Sequence, residues 1–179
     1  MGKKKSENNQ EFVMEDFEID EEKAQKLYEK SYSEAEEILQ DEDKMERFLQ
    51  KLERKLRTVP IAGSALAYVP IMMSLVKSYV KREYTELPIA TMISVVVALI
   101  YFLSPIDIIP DVVPFAGYID DAAIIVACLA FIRTDLEDYR IWRKENGYEI
   151  DDLPDYDDVA KDTEKYSKIA EVFFKRKNK

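Results

Sequence analysis

The chain has 179 residues, 47% of them hydrophobic and 35% charged, with a formal net charge of −10. That is enough for one folded domain with a real core, and its acidic balance argues against a general nucleic-acid binder, because phosphate contacts need a basic face. It has no histidine and a single cysteine, which excludes Ser-His-Asp and Cys-His catalysis, the HExxH metalloprotease helix, two-histidine iron sites and an ordinary structural zinc site.

Residues 1–19 are polar and read as a loose arm. Lys3, Lys4 and Lys5 open it; they are suited to anionic lipid headgroups or simply to solubilising a frayed end. MGKKKS fits the N-myristoylation pattern with Gly2 as acceptor and Ser6 behind it, which matters only in a eukaryotic host. Ser33 and Glu36 form a capping-box signature, and Ala35, Ile38 and Leu39 then mark one face of a helix. The stretch from Asp41 to Leu56 repeats the pattern, with Met45, Phe48, Leu49, Leu52 and Leu56 on one side and charges on the other.

Val59 to Val76 is 18 residues without a formal charge, the length of a membrane span, but Pro60 and Pro70 break it. Beyond Pro70 the residues Ile71, Met72, Leu75, Val76, Tyr79 and Val80 share a face opposite Ser74, Lys77, Ser78 and Lys81. This is an amphipathic helix for a protein core or a membrane surface.

Pro88 opens the most apolar segment. The 17 residues from Leu87 to Leu103 are hydrophobic on all sides, so they must be buried all round or lie in lipid. They make about 25 Å of helix against a hydrocarbon core of about 30 Å, a borderline span. A second run, Ala122 to Ile132, has only 11 residues, about 17 Å, too short to cross alone. The two form a central apolar hairpin, 87–132, either re-entrant or membrane-spanning, or else the core of a soluble all-α domain covered by helices 33–56 and 70–84. Lys77, Lys81 and Arg82 precede it, and Arg133, Arg140, Arg143 and Lys144 follow it. The positive-inside rule then places both termini in the cytoplasm, with a cytoplasmic soluble protein as the alternative. Tyr84, Tyr101, Tyr118, Tyr139 and Trp142 lie near the ends of the apolar runs, where interfacial anchors would sit. Cys128, within the second run, reads as a small buried hydrophobe in a reducing compartment.

Between the runs, YFLSPIDIIPDVVPFAGYIDD holds three prolines, four aspartates and no basic residue. Asp107, Asp111, Asp120 and Asp121 supply the hard oxygen ligands that Mg²⁺ or Ca²⁺ prefers, on a loop stiffened by proline. Each aspartate also has a capping explanation: Ser104, Pro105 and Asp107 as cap, first-turn proline and third-position acid, Asp111 after Pro110, and Asp120 or Asp121 before a helix starting near Ala122. No cofactor is otherwise expected.

Tyr101, Ser104, Pro105, Asp107, Pro110, Asp111, Pro114, Gly117, Tyr118, Asp120 and Asp121 together resemble the signature of the YkvA family, catalogued as domain of unknown function 1232. The similarity extends over about residues 32–142. The resemblance implies a small, mostly bacterial helical protein, usually predicted to be membrane-associated, with no established activity and no catalytic residues to carry over. Related hairpins end some eukaryotic membrane ubiquitin ligases, whose RING cysteines are absent here.

After Trp142 the acidic stretch 146–157, with Gly147 and Pro154 as breakers, reads as a linker. A last amphipathic helix, 158–179, aligns Val159, Tyr166, Ile169, Ala170 and Phe173 and ends in Lys175, Arg176, Lys177 and Lys179. The expectation is therefore an all-α protein with arm 1–19, helical domain 20–145, linker 146–157 and terminal helix 158–179. Its role would be structural or adaptor-like at a lipid bilayer, with a protein partner compatible and no nucleic acid. The alternatives are a soluble all-α interaction module or a divalent-cation-dependent protein using the aspartate loop.

Overall fold

The computed structural model describes residues 21–59, 65–103, 116–149, 152–155 and 157–158, with side chains except at 21, 23–25, 27 and 116–124. The described residues are helical, with no strand among them: α1 (Glu21–Gln40), α2 (Glu42–Leu56), a 3₁₀ turn (Ala65–Tyr68), α3 (Val69–Val80), α4 (Ile89–Leu103) and α5 (Ala116–Glu145). The all-α expectation holds.

α1 starts twelve residues before the Ser33–Glu36 capping box, which therefore lies inside the helix. The stripe Tyr28, Ser31, Ala35 and Ile38, at helical spacing and turned inward, continues back past Ser33, so tertiary burial overrides the local start signal. α1 ends at Asp41, where α2 begins. Asp41 has extended backbone angles and its carboxylate accepts from the Lys44 N–H at 3.0 Å. That hydrogen bond holds its carboxyl below the usual aspartate range. Met45, Phe48 and Leu52 then face the interior.

The uncharged stretch 59–76 is not one helix. Its described part is the 3₁₀ turn and the start of α3, with Pro70 in the first turn, where its missing N–H costs nothing. α3 belongs to the core, since Ile71, Met72, Leu75 and Val76 are at most 1% exposed. Its expected polar face is only partly polar in use, because Ser78 is buried and Ser74 half-buried.

α3 and α5 end alike. Glu83 N–H reaches back to Ser78 O (2.9 Å) and Arg82 N–H to Tyr79 O (3.0 Å); Tyr148 N–H reaches Arg143 O (3.0 Å) and Gly147 N–H reaches Lys144 O (3.2 Å). Both are Schellman motifs, which need a left-handed residue just past the helix. At α5 that residue is Gly147 (φ 76), and at α3 it is Arg82 (φ 59).

α4 is the axis of the molecule. α5, α1, α3 and α2 all pack against it, and from Thr91 to Phe102 only Ser94 is not fully buried. Thr91 bonds Asp135 and Ser94 meets Cys128, so α4 and α5 run antiparallel. The segment had to be buried all round or in lipid, and here protein covers it. Among the described residues no helix is long and apolar enough to cross a membrane: α4 has only 15 residues, and α5, although it has 30, carries charge along much of its length.

Of the expected interfacial aromatics, three are interior residues and Trp142 is half-buried, while the Tyr118 side chain lies outside the described residues. Tyr84, Tyr101 and Tyr139 are at most 6% exposed. Tyr84, Tyr139 and Trp142 form a cluster with ring centroids 5.1–5.7 Å apart, held by packing of apolar ring bodies.

Candidate functional site

The signature falls at one end of the α4–α5 pair. Tyr101 is in the last turn of α4 and is 1% exposed. Ser104, Pro105, Asp107, Pro110, Asp111 and Pro114 lie outside the described residues. Gly117, Tyr118, Asp120 and Asp121 fall on the first turns of α5, which starts at Ala116. Asp120 and Asp121 are thus fifth and sixth in the helix, beyond its first turn, and do not cap a start at Ala122. Among the described residues no group of three or more His, Cys, Asp or Glu is arranged to hold a metal ion.

Sequence reasoning missed Lys55 at this end. Its ammonium donates to the Phe102 carbonyl and lies 4.8 Å from the centre of the Phe102 ring. A cation on the last turn of α4 complements the negative helix end and the ring face. On sequence alone Lys55 is one of many charges flanking the apolar stripe of α2, and only the packing of α2 on α4 selects it.

A polar network locks α5 to α3. Ser74 and Ser78, one turn apart, both bond the Tyr139 hydroxyl, at 2.8 and 2.9 Å. One turn further along α5, Arg143 donates to Ser74 Oγ and, at 2.8 Å, to the Glu149 carbonyl. Its guanidinium lies 6.0 Å from the Tyr139 ring centre and 5.6 Å from that of Tyr148. The turn at Gly147 brings Tyr148 and Glu149 back over the arginine. The network satisfies the three hydroxyls at a buried interface, leaves the buried Arg143 Nε without a hydrogen-bond partner, and contains no activated nucleophile. Cys128 is no candidate nucleophile either: it is fully buried, its thiol faces the Ser94 carbonyl at 3.5 Å, and burial pushes its pKa far above that of a free thiol. This agrees with its reading as a small hydrophobe.

Part of the expected linker packs on the domain. Leu153 and Pro154 are half-buried, and the Tyr68 hydroxyl donates to the Pro154 carbonyl at 2.7 Å. Beneath them is a cavity of about 350 Å³ that includes Tyr68, Arg133, Arg140 and Asp155. Its arginines already face acids, Arg140 with Glu137 at 3.2 Å and Arg133 with Asp157 at 3.7 Å. The cavity therefore presents no net positive site.

A second concavity among the described residues is a groove of about 460 Å³ between α2 and α3. Met45, Leu49 and Val80 form its apolar floor, with Glu42, Glu46 and Glu53 along the α2 rim and Lys77 and Lys81 along the α3 rim. An apolar floor between rims of opposite charge is a shape for holding an amphipathic helix, and nothing in it does chemistry.

Two comparisons bear on identity. Residues 91–127 match the model of a family described as a protein of unknown function, DUF1232; these residues hold nearly all of α4, the signature loop and the first part of α5. The chain is also 28% identical over 78 residues to the "Uncharacterized membrane protein YkvA" of Bacillus subtilis (strain 168), covering 44% of this chain and 74% of the relative. No solved structure matches. Together with the signature, these matches make residues 91–127 similar to the family described as DUF1232, a protein of unknown function.

Proposed function

We propose that this protein is a non-catalytic helical adaptor that associates with the cytoplasmic face of a membrane and holds a partner on its helical surface. One observation carries the reading. The most apolar helix, α4, is enclosed by α1, α2, α3 and α5, so its greasiness serves the protein's own interior, and any membrane attachment falls to surface elements. The membrane enters through the relative, which is named a membrane protein, and through the lysines at the two ends of the chain, suited to anionic headgroups. The absence of histidine and the burial of Cys128 favour a binding role over catalysis by those residues.

Fractionation of the expressed full chain tests this. Peripheral attachment predicts recovery with membranes at low salt and release by high salt or alkaline carbonate. Retention through both washes, with release only by detergent, would replace surface attachment by insertion of the 87–132 hairpin. The enclosure of α4 also favours a second reading, a soluble interaction module, and recovery entirely in the detergent-free soluble fraction would select it.

A further inference from the structure

We propose that the groove between α2 and α3 is where two copies of this chain meet, groove on groove, about a two-fold axis that runs along it. The inference stands apart from membrane attachment, because it concerns the protein alone. It rests on the order of charges across the groove.

From one side to the other the groove presents the glutamates Glu42, Glu46 and Glu53, then its apolar floor, then Lys77 and Lys81. All five charged residues are exposed, and none forms an ion pair among the described residues. Glu42 and Glu46 stand four positions apart on α2, and Lys77 and Lys81 four positions apart on α3. Each rim therefore presents like charges one helical turn apart on one face. The floor is open in the same region. Leu49 and Val80 are only half-buried, so apolar side chains still meet solvent between the rims, and covering them is favourable.

A two-fold axis in the plane of contact has two simple settings. An axis lying across the groove keeps each rim on its own side and sets glutamate on glutamate and lysine on lysine. An axis lying along the groove exchanges the sides, so the glutamate rim of each copy faces the lysine rim of the other and the two floors face each other between them. The second setting replaces two repulsions by two oppositely charged seams. A contact of this kind uses the same patch on both copies and closes at two. In it α2 of one copy lies over α3 of the other, and the four helices enclose both floors as in a four-helix bundle.

Symmetry is the argument for a second copy over a foreign helix. A foreign helix would have to carry both charge edges at the right separation, whereas a second copy brings them with the groove itself. The net charge of −10 repels a second copy in general, but that repulsion is screened beyond about 8 Å at physiological salt, and charges in partly buried contact are screened much less.

Sedimentation equilibrium of the full chain without membranes tests this. With rising concentration the wild type should pass from the mass of one chain, 20.9 kDa, to double that value. Glu42→Lys/Glu46→Lys and Lys77→Glu/Lys81→Glu should each weaken self-association at least about tenfold, because like charges then meet along both seams. An equimolar mixture of the two variants should associate at least about tenfold more tightly than either alone, because both seams of the mixed pair again join opposite charges. Slow labelling of the buried Cys128 verifies that each variant folds. Glu42→Gln/Glu46→Gln and Lys77→Gln/Lys81→Gln repeat the test without reversing any charge, and each should weaken association by less and in the same direction. A wild type that keeps the mass of one chain at every concentration would overturn the proposal. Self-association untouched by the variants of both rims would move the contact to another surface and overturn it equally. Weakening in both variants without recovery in the mixture would reject the two-fold pairing of the rims.

Discussion

Ser78 and Tyr139 share a buried hydrogen bond of 2.9 Å between α3 and α5. Tyr139 is 0% exposed, so its hydroxyl depends on this contact and on the one with Ser74.

Tyr139→Phe keeps the ring in its cluster and leaves the Ser78 hydroxyl in a buried site without this partner, at a cost of about 1–3 kcal/mol. Tyr139→Phe/Ser78→Ala should recover part of that loss, because no buried hydroxyl is then stranded at position 78. Urea denaturation of the three proteins checks both statements. Equal stability of the wild type and Tyr139→Phe would show that the bond contributes nothing.

Leu99 lies in the middle of α4 and is 0% exposed. With protein on all sides, Leu99→Ala opens a cavity and should destabilise the fold by about 2–5 kcal/mol. A lipid-facing Leu99 would lose far less, because lipid chains fill the space. Thermal unfolding without detergent reads the difference, and a shift in Tm below a degree would remove α4 from the core.

Asp41 gives stability a component with a definite sign. Its carboxyl has a lower pKa in the folded protein than in the unfolded chain because it accepts the Lys44 N–H. Its contribution is therefore complete above the unfolded value near 3.9 and lost as pH falls through the lower folded value. Asp41→Asn keeps a capping oxygen but removes the charge. The urea-midpoint difference between wild type and variant should be constant near neutral pH and shrink below about pH 4.

The two left-handed residues predict opposite responses. Arg82 carries a side chain at φ 59, so Arg82→Gly should relieve strain and stabilise by up to about 1 kcal/mol. Gly147 has φ 76, and a methyl group added there would meet nothing within 4 Å, so Gly147→Ala should cost about 1 kcal/mol through the backbone alone. Chemical denaturation measures both, and a change of the same sign in the two variants would contradict the Schellman assignment.

Cys128 is enclosed between α4 and α5. It should label with a thiol reagent only when the fold opens, with native labelling slower than in urea by a factor that tracks stability. Rapid labelling of the native protein would mean that the α4–α5 contact opens locally.

The amino-acid sequence by itself determined the helical class, the apolar faces of α2 and α3, the break at Pro70, the buried cysteine and the resemblance to the DUF1232 family, because periodicity, proline geometry and a fixed local signature are properties of neighbouring residues. It also stated the alternatives for Leu87 to Leu103 correctly, and could not choose between them: a helix that is apolar on every side satisfies lipid and a ring of helices equally. Only the packing of four helices around α4 decided for protein. The same packing extended α1 through its capping signature, turned Tyr84, Tyr101 and Tyr139 from expected anchors into core residues, and placed Ser74 and Ser78 on a buried phenol. It also picked Lys55 from a row of equivalent charges and opened the groove between α2 and α3. Each of these depends on which residues distant in the chain become neighbours, and that is a property of the tertiary structure alone.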